Sequence, residues 1–144
     1  MMELSEKDID RMVEAATSVR GRASAPYSGF AVGAAILDDD GCVHVGCNVE
    51  NASYGLSVCA ERHAVAAAIA AGARVFSAVA VVTDLSPPAS PCGACRQVLA
   101  EFGDFPVILA NLAGERRITS VGALLPDAFG SDTLVKGQEK RVRS

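Results

Sequence analysis

Apolar residues near the start of the chain recur at helical spacing. Ile9, Met12, Val13, Ala16 and Val19 fall on one face of a 3.6-residue repeat. Ser5 stands just before them as a candidate N-cap, with Asp8 three residues on in a capping-box-like place. Pro26 ends that region. The pattern then changes to short apolar runs. Residues 31–37 (AVGAAIL) read as a buried strand, 38–41 (DDDG) as a turn, and 42–47 (CVHVGC) as the return strand of a hairpin. Residues 48–57 are polar and rich in Gly and Asn, which predicts a loop. From Cys59 to Ala71 the chain is all apolar past His63, predicting a buried helix stopped by Gly72. Residues 75–82 (VFSAVAVV) suit a central strand covered on both faces. A loop (DLSPPASP) precedes a helix from Gly93 to about Phe102. A strand over 106–111 and a short helix over 121–125, before Pro126, complete the pattern. Helix, hairpin, helix, strand, helix, strand predicts a layered α/β domain. Right-handed crossovers would set both inner helix N-termini at the carboxyl ends of their preceding strands.

Composition narrows what such a domain can be. The chain has 144 residues, half of them apolar, so one domain can build a core without staples. Its longest apolar runs are too short to cross a bilayer. Met1 to Arg11 is charged and has no apolar stretch, so no secretory signal is expected. A net charge of −4 argues against a surface that tracks phosphates. The basic residues that do cluster, Lys136, Lys140, Arg141 and Arg143, predict a solvated, mobile tail over 135–144 behind a single domain of residues 1–134. Five cysteines without a signal segment imply reduced thiols in a cytoplasm, where a spaced set serves a metal or catalysis more often than a disulfide.

Three of those cysteines form a pattern. Cys92 and Cys95 make a CxxC at a helix start, where one turn brings two thiolates onto one ion. Cys59 lies upstream, also where a helix begins. Orphan N–H groups and the positive end of the helix dipole favour thiolate at both places. Zinc takes such sulfur ligands tetrahedrally, and three protein ligands leave a fourth position open, the pattern of catalytic sites. A CxxC by itself would equally serve redox chemistry or pack as small hydrophobes; an upstream Cys-x-Glu at a second helix start sets this set apart. Glu61, two residues beyond Cys59, points away from the ligand direction and suits a proton shuttle between zinc-activated water and a substrate. Three thiolates overcompensate Zn²⁺. Arg62, with several N–H donors, is expected to offset the excess, held in place by Gln97.

Cys59-Ala60-Glu61-Arg62 and Pro91-Cys92-Gly93-Ala94-Cys95-Arg96-Gln97 are accompanied by three further motifs. They are residues 27–35 (YSGFAVGAA), 48–55 (NVENASYG) and 124–129 (LLPDAF). Together these resemble the small homotetrameric cytidine deaminases, from about Tyr27 to Leu134. The resemblance implies a three-layer α/β/α sandwich on a five-stranded mixed sheet. It implies one Zn²⁺ per chain on Cys59, Cys92 and Cys95, with Glu61 catalytic. It implies hydrolysis of cytidine and 2′-deoxycytidine with release of ammonia, in pyrimidine salvage. Asn48 and Glu50 correspond to residues that bind the ribose hydroxyls, Phe30 to an aromatic against the pyrimidine, and Tyr54 to a residue lining the ribose end. The backbone N–H of Ala60 would meet the ring carbonyl. Phe129 corresponds to an aromatic delivered from a neighbouring subunit. Without that context Phe30 and Phe129 would read as packing residues, and Asn48 and Glu50 as turn formers.

One position departs from the family pattern. His63 stands where a small hydroxyl residue is usual, one helical turn from Cys59. It could close the site as Cys₃His and make the zinc structural; such a closed site would leave Glu61 without a role, so packing near a subunit contact is the expectation. His44 is expected to be exposed on its strand. Cys42 and Cys47, five apart on one strand, would be inert thiols on opposite faces. A deaminase of a cytosine-bearing antibiotic such as blasticidin S shares the zinc motifs, but Asn48 to Ala52 favours an ordinary ribose. Editing of polynucleotides would want a cationic groove with stacking aromatics. The all-apolar helix after His63 needs cover on every side, which a second subunit would supply.

Overall fold

The computed structural model describes residues 3–143, with side chains as far as residue 141; residues 1, 2 and 144 of the expected domain and tail lie outside that range. Helix α1 (Glu6–Arg20) leads into the hairpin of β1 (Gly33–Asp38) and β2 (Val43–Cys47). A single 3₁₀ turn at Tyr54–Leu56 precedes α2 (Ala60–Ala70), β3 (Phe76–Thr83) and α3 (Gly93–Ala100). The chain continues through β4 (Pro106–Asn111), β5 (Arg116–Ser120), α4 (Val121–Leu124) and α5 (Ser131–Arg143). Ser5 caps α1, its side chain accepting from the Asp8 N–H.

The five strands form one sheet in the order β2-β1-β3-β4-β5. β3 and β4 are parallel, and the other neighbours are antiparallel, so the sheet is mixed. Period-two alternation divides the central strands between two cores. Ala35, Leu37, Ala78, Ala80, Val82 and Ile108 pack under Met12 and Ala16 of α1. Ala34, Ile36, Val79, Val81, Val107 and Leu109 face Ala60, Ala64 and Ala68 of α2 and Leu99 of α3. Each fully buried Leu, Ile or Val contributes about 1.5–3 kcal/mol from apolar area alone, so this double-sided sheet is the main source of stability. Helices thus lie on both faces, giving the three layers.

Two glycines set how closely the helices approach the hairpin. A methyl group at Gly33 would stand 1.9 Å from the Ala16 carbonyl oxygen of α1. At Gly46 it would stand 2.3 Å from the Ala64 nitrogen and 2.6 Å from the Ala60 oxygen of α2. Backbone meets backbone at both places, which only glycine permits.

Several expectations change. β5 has a single large apolar residue, Ile118, and forms an exposed edge on β4, so neither alternation nor a buried run announces it. α5 crosses the expected boundary after residue 134: Lys136, Lys140 and Arg141 are part of a helix, exposed along its described length. α2 is apolar but not enclosed within one chain, since Ala66, Ala67 and Ala70 face outward. Cys42 precedes β2 rather than belonging to it. His44 is not exposed; its Nε2 pairs with Asp38 at 2.8 Å, and both side chains are largely buried. Asp38 also accepts from the N–H groups of Asp40 and Cys42, closing the hairpin turn.

Candidate active site

β2 and β3 run in the same direction, each antiparallel to β1 between them. α2 follows β2 and α3 follows β3, so both helices begin at the carboxyl ends of strands, where clefts form in open α/β sheets. Cys59 is the N-cap of α2 and Cys92 the N-cap of α3. The Sγ atoms of Cys59 and Cys92 are 3.6 Å apart, and Cys95, one turn into α3, completes a trio whose sulfurs all lie within 4.8 Å of one another.

The electrostatics of this trio call for a cation. Burial pushes the Cys95 thiol up, as do the nearby Glu61 carboxylate and the other two sulfurs. At Cys92 burial also acts upward, but hydrogen bonds from the Cys95 N–H and the neighbouring thiols outweigh it and the net shift is down. Three sulfurs and a carboxylate cannot share this space as anions without a compensating charge. A tetrahedral, sulfur-preferring divalent ion such as zinc fits that donor set. His63 does not join it. Its Nδ1 instead meets the Cys47 carbonyl on β2 at 2.8 Å, so the closed Cys₃His arrangement is not formed.

Glu61 is buried in the wall of a cavity of about 370 Å³ that also reaches Cys59 and Cys92. Burial holds its carboxyl above the ordinary range, against its own backbone N–H, Cys95 and the Arg62 charge. Arg62 donates to Cys59 Sγ at 3.6 Å, and its Nε is buried without a hydrogen-bond partner. Gln97 does not hold it. The Gln97 amide donates to the Phe129 carbonyl at 2.8 Å, because α3 turns that side chain toward the segment after α4. The neighbouring Arg96 holds the Pro91 and Leu124 carbonyls, both at 2.8 Å.

The rest of the cavity wall comes largely from hairpin and loop. Phe30, Asn48, Glu50 and Ala60 all line it. Asn48 is buried, accepting from the Val32 N–H at 2.8 Å and donating to the Phe30 carbonyl at 2.7 Å, which shapes the turn that presents the Phe30 ring. The Glu50 carboxylate accepts from the Ser28 hydroxyl and from the N–H groups of Ser28 and Tyr27. The Ser28 hydroxyl above all holds it below the usual carboxylate range. Tyr54 does not reach this cavity. It walls an adjoining chamber of about 280 Å³ with Tyr27, their rings 5.7 Å apart edge to face, and Glu50 borders both spaces. Phe129 is 56% exposed and lines neither.

Sequence reasoning missed Ser28, Ser57, Thr83 and Ser90 in the cavity wall. Thr83 had an available signal, as the last residue of a strand at its carboxyl end. The serines had none, being small polar residues in loops.

The family model for the cytidine and deoxycytidylate deaminase zinc-binding region matches residues 6–111. The cytidine deaminase of Sporosarcina psychrophila is 47% identical over 135 residues, spanning 92% of this chain and 99% of that protein. That of Mycobacterium tuberculosis is 49% identical over 119 residues, spanning 83% and 87%. Among solved structures, cytidine deaminase from Burkholderia pseudomallei matches with a TM-score of 0.81 at 55% identity, covering 83% of this chain and 98% of that one. The chain belongs to the cytidine and deoxycytidylate deaminase family, the zinc-dependent hydrolytic deaminases.

Proposed function

We propose that this chain hydrolyses cytidine and 2′-deoxycytidine to uridine and 2′-deoxyuridine with release of ammonia, in pyrimidine salvage. The observation that carries this reading is the placement of a buried acid, Glu61, beside a three-thiol cluster in a cavity that Asn48 and Glu50 also line. Zinc held by Cys59, Cys92 and Cys95, about one ion per chain, would supply Lewis acidity that makes water a nucleophile at neutral pH.

The chain's own residues do the rest. Glu61 accepts the proton released by the attacking water, delivers it to the pyrimidine ring nitrogen, and then serves the departing amine. Ala60 is the first residue of α2 and its N–H has no acceptor within the helix, so it is free to donate to the ring carbonyl. Arg62 offsets the surplus charge of the thiolates through Cys59. Phe30 offers its ring to the pyrimidine. Asn48 retains an amide hydrogen and Glu50 an unused acceptor position for sugar hydroxyls. A site built for those hydroxyls rejects a base that lacks them.

The exposed Tyr54, Phe129 and Ala66-Ala67-Ala70 face support assembly into a homotetramer whose sites draw residues from several copies. A cysteine set spaced for a metal rather than for disulfides supports a cytoplasmic setting; among the described residues no helix is long and apolar enough to cross a membrane. The test mixes purified protein with cytidine and follows ultraviolet absorbance, ammonia and bound zinc on one sample. Turnover with stoichiometric zinc is expected; stoichiometric zinc with no cytidine turnover would overturn the substrate assignment.

A further inference from the structure

His63 sits on α2, two residues beyond Glu61, and reaches across to the last residue of β2. Its Nδ1 must donate, since the Cys47 carbonyl can only accept, and the 2.8 Å distance is that of a full hydrogen bond. Cys47 is followed directly by Asn48, whose side chain shapes the Phe30 turn, and by Glu50. Val49 exchanges two 3.0 Å backbone hydrogen bonds with Val58, immediately before Cys59. The chain from Cys47 through the Val49–Val58 bridge to Cys59, and along α2 to His63, therefore returns to Cys47. The His63 bond closes that ring. One side of the ring carries Cys59 and Glu61; the other carries Asn48, and Glu50 follows directly on Val49 at the bridge.

We propose that His63 is a positioning residue that ties the thiol-and-acid part of the cavity to the part that receives the sugar. It fixes the distance from Glu61 to the Asn48–Glu50 segment. α2 already rests on β2 at Gly46, which sets the height of the helix over the strand. The His63 bond adds a directed tie from the helix to the strand's last residue, one position beyond that contact. Small errors in such a placement are costly, because substrate groups must be met within a fraction of an ångström. The inference rests on the reading of Asn48 and Glu50 as sugar-binding residues.

The experiment compares wild type, His63→Ala and His63→Asn on cytidine and on 2′,3′-dideoxycytidine, with zinc content measured for each. Asparagine can place an amide donor near the position of Nδ1 and should restore the bond. For His63→Ala, KM for cytidine is expected to rise about five- to tenfold with kcat within about twofold, the split that marks lost substrate binding. KM for the dideoxy compound should hardly change, zinc should stay stoichiometric, and His63→Asn should recover most of the loss. An unchanged KM, an equal loss on both substrates, or a loss of zinc would overturn the inference. A wild-type protein that does not distinguish the two substrates would overturn the sugar reading, and the inference with it. A wild type that does distinguish them, beside an unaffected His63→Ala, would overturn the inference alone.

Discussion

Two regions of the cavity wall are built in different ways. At the thiol end, Cys59, Glu61, Cys92 and Cys95 stand on the first turns of α2 and α3, helices anchored on the sheet by Ala60, Ala64 and Leu99. Elsewhere in the wall, Phe30, Asn48 and Glu50, the residues proposed to receive the nucleoside, stand on loops held by side-chain-to-backbone hydrogen bonds. Tyr54 and Phe129 lie out on the surface of the single chain. Under the proposed function, chemistry falls to the helix-borne groups and recognition to the loop-borne ones. Reaction type can therefore stay fixed while the loops around it vary.

Breaking the thiol end should have the larger effect. Glu61→Gln keeps the shape of the side chain and removes its ability to take a proton, so kcat should fall by about 10²–10⁴-fold. Zinc content should be unchanged; a Glu61→Gln protein that retained turnover would mean the proton moves by another route. On the recognition side, Phe129→Ala should raise KM for cytidine by about tenfold through lost ring contact, with zinc and kcat nearly preserved. Mixing Phe129→Ala chains with Glu61→Gln chains sharpens the comparison. If sites are shared between copies, mixed assemblies regain activity above the sum of the parts, as read in a complementation assay.

The smallest effect lies away from the cavity, at the hairpin turn. Asp38 is held below its ordinary range, chiefly by the hydrogen bond with His44, with the Cys42 and Asp40 N–H groups assisting against burial. A depressed carboxyl contributes stability that is complete above its unfolded value and is lost as pH falls through its folded one. The loss should thus set in below about pH 4. Asp38→Asn should cost about 1–3 kcal/mol at neutral pH and flatten that acid limb, as measured by thermal unfolding between pH 2 and 7, leaving turnover intact.

How much of this was legible in the sequence follows the same division. The thiols and Glu61 could be found because helix starts, CxxC spacing and the neighbouring acid are all local features. The central strands could be found because double-sided burial makes continuous apolar runs. β5 escaped because Arg116 and Arg117 dominate an exposed edge, and α5 because its residues are polar almost throughout. Gln97 is expected from the sequence to hold Arg62 in place, a pairing that no local pattern could test. Its actual partner, the Phe129 carbonyl, is 32 residues away and set by how α3 packs. The turn of His63 toward β2 likewise depends on a strand that periodicity places but cannot orient.

Gly46 carries a consequence of its own. Because the α2 backbone rests directly on this residue, the depth at which Glu61 and Cys59 sit is set by the absence of a single methyl group. Every other amino acid at position 46 would act as a wedge, lifting the acid and a thiol together while touching neither. A residue with no functional group at all would then stand beside the reactive ones among those least tolerant of change.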